Sequence, residues 1–487
     1  MTTGLTLAPG RVSNRTALVL GGGFAGLSAA VNLALSGVRV TLLEQQGEVG
    51  GKAGEFVQDG FRFDIGPHVW TLPEVVTELF VRAGDLPPAF RPLEPLCRYL
   101  YPSGRVWDVS LDPGATAAQL SPAEADAYRR LLGEAKALFE AAAPTFLYGH
   151  APGPRELAKY ALSGGLRAQP GKLLPNLLQQ YGATGDLETF FLRFATYFGA
   201  DPYRAPAVLH NVAWVELGKG LFYPVGGIRG VVRQLRGLAE RLGVVIHTGV
   251  TVGRMGTSGG RVVSVETDRG GFRADGVVSS LDLIRTHRLL GRGAKAERLE
   301  PSLSGFVLLL GLEGVTPGLT HHNILFPNDY RAEFEAVGQN KLPADPTLYV
   351  SISAKTEVGD APPGGENWFV LVNAPPLSKE QPIDWNYEGP RYAEHILGVL
   401  AQRGLDVRDR IRVQKTFTPA YLGTLAHRGA IYGAAPHSLL RTLRPKQTVR
   451  GVRNLVLAGG TVHPGGGIPL ALLSGKHAAA LAEQRFW

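Results

Sequence analysis

A glycine-rich turn lies near the N-terminus, between a short apolar run and a stretch with helical spacing. Residues 16–20 have the length and composition of a buried strand, and residues 38–43 form a second such run. Between them, Gly21, Gly23 and Gly26 have the spacing G-x-G-x-x-G. A strand, a glycine turn, a helix and a strand in this order form the βαβ unit that binds dinucleotides. The sequence therefore predicts an α/β fold with a Rossmann-like domain.

Each glycine has its own task in such a unit. Gly21 allows the tight turn, Gly23 lets the backbone approach a pyrophosphate, and Gly26 lets the helix pack closely on the sheet. Phe24 and Ala25 lie at the start of the helix, where free N–H groups and the helix dipole favour phosphate. We therefore expect these residues to bind the cofactor.

An acidic residue, Glu44, stands at the end of the second predicted strand. Its carboxylate is placed to accept hydrogen bonds from a ribose diol, and it would repel a 2′-phosphate, so NADP is not expected here. The glycine turn and Glu44 do not decide between NAD and FAD.

The C-terminal segment discriminates better between these cofactors. Residues 459–469 are rich in glycine and are followed by a predicted helix over 468–484, with Pro469 in its first turn. The glycines would let a flat ring lie against the backbone, and the helix dipole would stabilise the negative charge of a reduced flavin. The alternative is a loop that only reverses the chain. We predict that FAD is held where the glycines near residue 23 and those near residue 465 converge.

Composition limits the other possibilities. A chain of 487 residues is expected to form two or more domains. Its single cysteine, Cys97, excludes an intrachain disulfide and a thiolate metal site, and we assign no metal ligand. The net charge of +8 suits a nucleic acid or an anionic membrane, but zinc-finger spacing, a Lys/Arg block and an aromatic RNA-binding motif are missing. We therefore expect no nucleic-acid partner.

Two uncharged stretches, residues 16–38 and 454–475, have the length of transmembrane helices. Their glycines and prolines would break a spanning helix, so we read both as strand, glycine turn and helix. We expect no signal peptide and no spanning helix, and a cytoplasmic protein that is peripheral on the inner face of the cell membrane.

The whole chain resembles the bacterial carotenoid desaturases of the phytoene desaturase type, within the flavin amine oxidase-like group. The matching segments are 21–26 with Glu44, 50–53, 63–67, 223–227, 274–279 and 455–469. The resemblance implies FAD and a flavin amine oxidase-like fold. The residues that it places around the flavin, its phosphates or the adenine are Gly51, Lys52, Gly66, Pro67, Val250, Gly460, Gly467 and Ile468. Members of the family usually carry arginine where this chain has Lys52, which keeps the charge but loses a bidentate contact.

The resemblance also implies a reaction, the desaturation of a lipid-soluble acyclic carotenoid by hydride transfer to flavin N5, with quinone or oxygen as the electron acceptor. Segments 429–433, 458–461 and 465–467 look more like the 1-hydroxycarotenoid 3,4-desaturases of carotenoid biosynthesis than like phytoene desaturases, which are the alternative. Two further alternatives are a soluble flavin amine oxidase, for which Tyr421 and Tyr432 could form an aromatic cage, and a flavoprotein that binds isoprenoid without turnover.

Polar side chains inside the flavin-associated motifs are candidates for proton transfer. They are His68, Glu216 and His463, with Lys219 beside them. Each has a simpler interpretation: His463 could bond only to the loop backbone, and Glu216 could pair with Lys219.

A basic segment is the candidate membrane surface. Residues 155–175 carry Arg155, Lys159, Arg167 and Lys172 against Glu156, among apolar residues. This composition suits an interfacial patch that binds anionic lipid, and a solvated helical face is the alternative.

Because the dinucleotide signals lie at both ends of the chain and in its middle, the FAD domain is expected to be discontinuous, with an α+β substrate domain inserted in two pieces. The predicted divisions are the FAD-binding segments 14–115, 206–285 and 441–487, the helical, membrane-facing segment 116–205 and the substrate sheet 286–440.

Overall fold

The computed structural model describes residues 14–162, 164–292 and 295–487. In chain order the strands are β1 Thr16–Leu20, β2 Arg39–Leu43, β3 Gly54–Gln58, β4 Phe61–Ile65, β5 Phe90–Pro92, β6 Cys97–Leu100, β7 Val106–Val109, β8 Phe222–Pro224, β9 Val245–His247, β10 Val252–Ser258, β11 Arg261–Thr267, β12 Gly270–Phe272, β13 Gly276–Ser279, β14 Ser304–Glu313, β15 His322–Leu325, β16 Leu348–Ile352, β17 Gly365–Ala374, β18 Ile411–Phe417 and β19 Leu455–Leu457. The helices are α1 Phe24–Leu35, α2 Glu74–Arg82, α3 Pro113–Ala117, α4 Pro122–Phe146, α5 Pro154–Leu162, α6 Leu174–Gln180, α7 Gly185–Leu192, α8 Asn211–Leu217, α9 Gly227–Arg241, α10 Leu283–Leu289, α11 Tyr330–Gly338, α12 Trp385–Gln402, α13 Pro419–Leu425, α14 Leu439–Thr442 and α15 Ile468–Phe486.

A five-stranded parallel sheet has the strand order β19-β13-β1-β2-β9. Its strands come from the beginning, the middle and the C-terminal part of the chain. In β1, Val19 pairs with Leu42 on one side and Val278 on the other, and all three are buried. Near-continuous apolar strands of this kind are typical of parallel sheets covered on both faces. The predicted Rossmann-like arrangement is confirmed.

Helices α1 and α15 approach each other closely at Gly475. A Cβ at Gly475 would collide with the backbone oxygen of Ala25, and the Ser28 hydroxyl donates to the Leu472 carbonyl at 2.7 Å. The glycine thus brings the C-terminal helix directly onto the helix of the N-terminal βαβ unit.

A second sheet has the order β18-β14-β17-β16-β15-β6-β7 and is antiparallel except where β15 pairs with β6. One of its faces packs with α12 in an apolar core that includes Phe306, Trp368 and Ile396. Strands β6 and β7 come from the predicted FAD-binding segment 14–115 but lie in this sheet. The predicted division of the chain at residue 115 thus does not follow the sheets, and the domain limits stay a proposal.

Residues 113–217 fold mainly as helices around an aromatic core. Phe190, Phe191, Tyr128 and Trp107 are each at most 1% exposed and contact one another edge-on or tilted. Helix α5, by contrast, has no buried residue. No helix in the described ranges is both long enough and apolar enough to cross a membrane.

The apolar stretch 272–279 has the length of a single strand, but the structure divides it between two strands. Strand β12 pairs with β11, and β13 enters the parallel sheet. Between them Asp275 accepts hydrogen bonds from the backbone and hydroxyl of Thr16, which fixes the point where the chain changes sheets.

Candidate active site

A cavity of about 880 Å³ extends from the carboxyl ends of the parallel strands to the helical part of the molecule. This volume is near the upper end of the range for ligand pockets. The predicted site residues that line it are Gly21, Gly23, Phe24, Ala25, Glu44, Gly51, Lys52, Gly66, Pro67, His68, Glu216, Val250, Gly460, His463, Gly467 and Ile468.

The turn before α1 has the features of a phosphate site. Gly21 has φ +94°, a left-handed conformation that favours glycine. A Cβ at Gly23 would have no atom nearer than 3.9 Å, so open space lies in front of this residue. Helix α1 starts at Phe24 with no side-chain cap and no acidic residue in its first turn. Its first N–H groups are therefore available to an anion in the cavity.

Gly26 does not line the cavity. A Cβ at this position would collide with the backbone oxygen of Gly21 and would lie 2.7 Å from the Ser280 hydroxyl. Gly26 therefore has the role expected from its place in the motif, which is to allow close packing of α1 on Gly21 and Ser280.

Glu44 is buried at the end of β2. One carboxylate oxygen accepts a hydrogen bond from the Gly22 backbone at 2.7 Å, and the other accepts from the Gln46 backbone at 2.9 Å. These two bonds fix the carboxylate at the wall of the cavity, where its remaining lone pairs suit a ribose diol.

The C-terminal glycine loop meets the N-terminal one at Ser280. A Cβ at Gly21 would lie 2.8 Å from the Ser280 hydroxyl, and one at Gly459 would lie 3.4 Å from the Ser280 backbone oxygen. Helix α15 begins at Ile468 after Gly467, which has φ +106°, and it has no side-chain cap. Two uncapped helix N-termini therefore face one cavity, and the predicted convergence of the two loops is found in the structure.

Lys52 connects the N-terminal glycine region to the C-terminal half of the chain. Its ammonium group donates to the Ile431 carbonyl at 2.6 Å. Burial lowers the pKa of Lys52, and the charge of Asp282 opposes this shift. A Cβ at Gly66 would collide with the Lys52 carbonyl, so the 66–68 segment lies directly on the Lys52 backbone.

His68 lines the cavity and is held on two sides. Its ring stacks on Phe369 of β17 with centroids 3.7 Å apart, and its Nδ1 lies 3.1 Å from the Gly66 carbonyl. Burial lowers the pKa of His68 to about 4, so the ring is neutral at pH 7.

Glu216 belongs to a buried ion pair. Its carboxylate accepts from Arg193 at 3.0 Å, from Tyr197 at 2.7 Å and from Tyr99 at 3.3 Å. Glu216 thus pairs with Arg193, not with Lys219. Three donors occupy this carboxylate, which favours a structural role, and its predicted catalytic role stays a prediction.

Arg193 was not among the sequence-predicted site residues. It is the single charged residue in the run 189–198, which otherwise holds aromatic, apolar and threonine side chains. A lone cation in such a run is the signal that could have indicated a buried partner.

His463 contacts the helical part of the chain. Its Nε2 lies 2.9 Å from the Gly149 carbonyl, and its ring stacks on His477 with centroids 5.8 Å apart. Burial lowers the pKa of His463. These contacts match the simpler interpretation of a histidine that bonds to backbone, and its predicted catalytic role also stays a prediction.

Comparison with known proteins decides the family. The model of the flavin containing amine oxidoreductases matches residues 24–301. The chain belongs to this family. A 1-hydroxycarotenoid 3,4-desaturase from Flavobacterium sp. (strain P99-3) is 33% identical over 96% of this chain and 99% of its own length. A 4,4'-diapolycopene oxygenase from Methylomonas sp. is 31% identical over 95% and 97%. Membership of the carotenoid desaturase group within the flavin amine oxidoreductases is confirmed.

The fold agrees with this assignment. The crystal structure of cyclohexylamine oxidase from Brevibacterium oxydans IH-35A matches with a TM-score of 0.63 and 15% identity, over 97% of this chain and 99% of the other. The predicted flavin amine oxidase-like fold is confirmed.

The residues of this flavin amine oxidoreductase fit FAD. A dinucleotide needs an anion site and an acceptor for a ribose diol, and the start of α1 and Glu44 supply them. A flavin ring needs a surface without side chains, and Gly459, Gly460 and Gly467 supply it in front of α15. The protein is an FAD-dependent oxidoreductase.

Proposed function

We propose that the protein desaturates an acyclic carotenoid, and that its substrate is a 1-hydroxycarotenoid oxidised at the 3,4 bond. The observation that carries this proposal is the near full-length similarity to the Flavobacterium desaturase, combined with an apolar cavity that joins the predicted flavin site.

The part of the cavity beyond the glycine loops suits a polyene. Its walls are mostly aliphatic and aromatic, and they include Phe139, Phe146, Leu209, Val212, Ile324 and Leu371. A long apolar substrate would gain roughly 25 cal/mol for each Å² that it buries against such walls.

The chemistry divides between cofactor and protein. Bound FAD supplies the hydride acceptor. The chain has to hold the reacting C–H bond against the ring and exclude water, which the glycine surface and the apolar walls are suited to do. Within the described residues, the Arg193–Glu216 pair is the buried ion pair on these walls, and its charges neutralise each other.

The first experiment is an anaerobic titration of the purified flavoprotein with acyclic carotenoids in detergent. Bleaching of the oxidised flavin band is expected with a 1-hydroxycarotenoid. An absence of bleaching with every acyclic carotenoid would instead favour a protein that binds isoprenoid without turnover. Re-oxidation of the bleached enzyme by oxygen or by a quinone then identifies the electron acceptor.

A second experiment separates the carotenoid reactions. In a host that makes acyclic carotenoids with and without 1-hydroxy ends, the proposal expects a red-shifted pigment that has lost two hydrogens. A phytoene desaturase would instead colour a host that makes only phytoene. An oxygenase, like the Methylomonas relative, would add oxygen to the product, which mass spectrometry detects.

The amine oxidase alternative depends on an aromatic cage. Tyr432 lines the cavity, whereas Tyr421 packs on Phe417 with centroids 4.9 Å apart and lies outside the cavity lining. The two tyrosines that could form a cage are therefore not brought together. Hydrogen peroxide release on addition of polar amines would reverse this conclusion.

We also propose that the cavity opens onto a bilayer surface. Leu440 of α14 is 79% exposed and also lines the cavity, so the cavity reaches the surface there. Leu157 of α5 lines it as well, and Leu162 at the end of α5 is 90% exposed. Arg155 and Lys159 on the same helix are exposed. Apolar residues flanked by cations suit insertion between anionic headgroups, from which a lipid-soluble substrate could enter.

Vesicle flotation tests this membrane surface. Leu162→Asp with Leu440→Asp, and separately Arg155→Glu with Lys159→Glu, are expected to reduce binding to anionic vesicles. Leu86, which is 84% exposed, provides the matched control Leu86→Asp. Flotation that is equal for all variants would refute the proposed surface.

A further inference from the structure

His68 presents one defined face to the cavity. Its ring stacks on Phe369, and the 66–68 segment packs so closely on the Lys52 backbone that a Cβ at Gly66 would collide with the Lys52 carbonyl. The orientation of the imidazole is therefore fixed by backbone and by stacking before any ligand binds.

The hydrogen bond at Nδ1 fixes the tautomer. The Gly66 carbonyl can only accept, so the bond at 3.1 Å requires the proton to be on Nδ1. The ring is neutral because burial lowers its pKa to about 4, and Nε2 consequently carries a lone pair. Within the described residues, the ring is hydrogen-bonded through Nδ1, which leaves Nε2 for the cavity that His68 lines. It can accept a hydrogen bond but cannot donate one.

Several other polar groups on the inner wall are bonded to one another. Glu216 is bound by Arg193 and Tyr197, the Tyr349 hydroxyl lies 2.8 Å from Nδ1 of His322, and the Asn373 amide donates to Glu333 at 2.8 Å. Among the described residues of the wall, the Tyr330 hydroxyl also has no partner, but it can donate as well as accept. Nε2 of His68 can only accept, which suits a ligand that donates an O–H.

We infer that Nε2 of His68 accepts a hydrogen bond from a hydroxyl group of the substrate and thereby selects an alcohol over its methyl ether or the parent hydrocarbon. The inference rests on the proposed function and names the residue that recognises the hydroxyl-bearing end of the substrate. In a 1-hydroxycarotenoid two carbon–carbon bonds separate the hydroxyl-bearing carbon from C3. The acceptor must therefore lie close to the reacting bond. His68 meets this requirement in sequence and in space, because it belongs to the 66–68 segment that packs on Lys52 at the predicted flavin site.

The test compares binding of two ligands that differ only in the O–H donor. Dissociation constants of a 1-hydroxycarotenoid and its 1-methyl ether are measured with the holoenzyme reduced by dithionite, which prevents turnover, from the change in carotenoid absorption on binding. The wild type is expected to bind the alcohol about five to ten times more tightly than the ether, the contribution of one hydrogen bond. His68→Phe keeps an aromatic ring to stack on Phe369 but has no acceptor, so the ratio of the two constants is expected to fall to about one.

His395 provides the matched control, because it is exposed on α12 and lies outside the cavity lining. His395→Phe is expected to keep the wild-type ratio. Equal affinity of the wild type for alcohol and ether overturns the inference, even if His68→Phe does not fold. A His68→Phe enzyme that keeps the ratio but loses turnover with both ligands also overturns it, in favour of proton transfer. If no acyclic carotenoid perturbs the wild-type flavin, the proposed function itself has failed.

Discussion

At the scale of single residues, the glycines of the predicted cofactor site differ in what their missing side chain makes possible. Gly23 leaves space for a ligand, whereas Gly26 avoids a collision with the backbone of Gly21. The motif thus combines one position predicted to bind the cofactor and one packing position, and a substitution by alanine should separate them.

Gly26→Ala and Gly133→Ala form a matched pair, since both glycines lie inside helices. The added methyl group at position 26 meets a backbone oxygen that cannot move without opening the turn, so we expect a lower Tm and loss of bound FAD. Gly133 is exposed on α4 with no atom within 4 Å of an added Cβ, and alanine there should add up to about 1 kcal/mol of helix stability.

Thermal unfolding monitored by flavin fluorescence checks both variants. A Gly26→Ala protein that melts with the wild type and retains FAD would show that α1 can move away from β1, against the close packing described above.

At the scale of elements, Arg193 and Glu216 connect the aromatic helical part to the second sheet. Arg193 lies just after α7, Glu216 lies on α8, and Tyr99 on β6 donates to the same carboxylate. Burial opposes the charge of Arg193, yet Tyr197, Tyr99 and Glu216 raise its pKa well above the ordinary value. The pair therefore stabilises the junction only while both partners are present.

Glu216→Ala leaves the arginine buried without its counter-ion, so we expect a loss of about 3–5 kcal/mol of unfolding free energy. Replacing both residues, Arg193→Met with Glu216→Leu, should restore much of this loss. Urea denaturation of the three proteins measures it. A Glu216→Ala protein of wild-type stability that no longer turns over substrate would instead support the predicted catalytic role.

The sequence predicted the elements that carry local patterns. Strand β1 and the start of α15 agree with the predicted limits, because glycine follows β1 and glycine and proline mark the start of α15. The position of β6 and β7 in the second sheet was missed, because their partner β15 lies far along the chain and pairing over such a distance leaves no local signal. The Arg193–Glu216 pair was missed for the same reason. The glycine loops could be predicted, because the spacing of their glycines indicates the backbone geometry locally.

At the scale of the whole molecule, several histidines lie in the interior as neutral rings. Burial lowers the pKa of His210 and His477 to about 4, as it does for His68, from an ordinary value of 6.5. The unfolded chain therefore binds more protons than the folded one between about pH 6.5 and pH 4. Stability from this source is complete above pH 6.5 and is lost as the pH falls through that window.

We accordingly expect the Tm to decrease from pH 7 to pH 4.5, and His477→Gln to reduce this decrease. His395→Gln, at an exposed histidine, should leave it unchanged. Scanning calorimetry across the pH range checks both. A Tm that rises towards pH 4.5 would mean that buried carboxyl groups such as Glu333, whose pKa burial raises, outweigh the histidines.

The parallel sheet has a consequence for how the protein is made. Strand β1 is flanked by β13, and β13 by β19, so the layer that carries the flavin site is completed by a strand and a helix that leave the ribosome hundreds of residues after β1. Until then the nascent N-terminal unit exposes an apolar sheet edge and helix face, the kind of surface that chaperones bind. We therefore expect FAD to bind late in synthesis, and a chain arrested before β19 to accumulate as an aggregation-prone fragment without flavin.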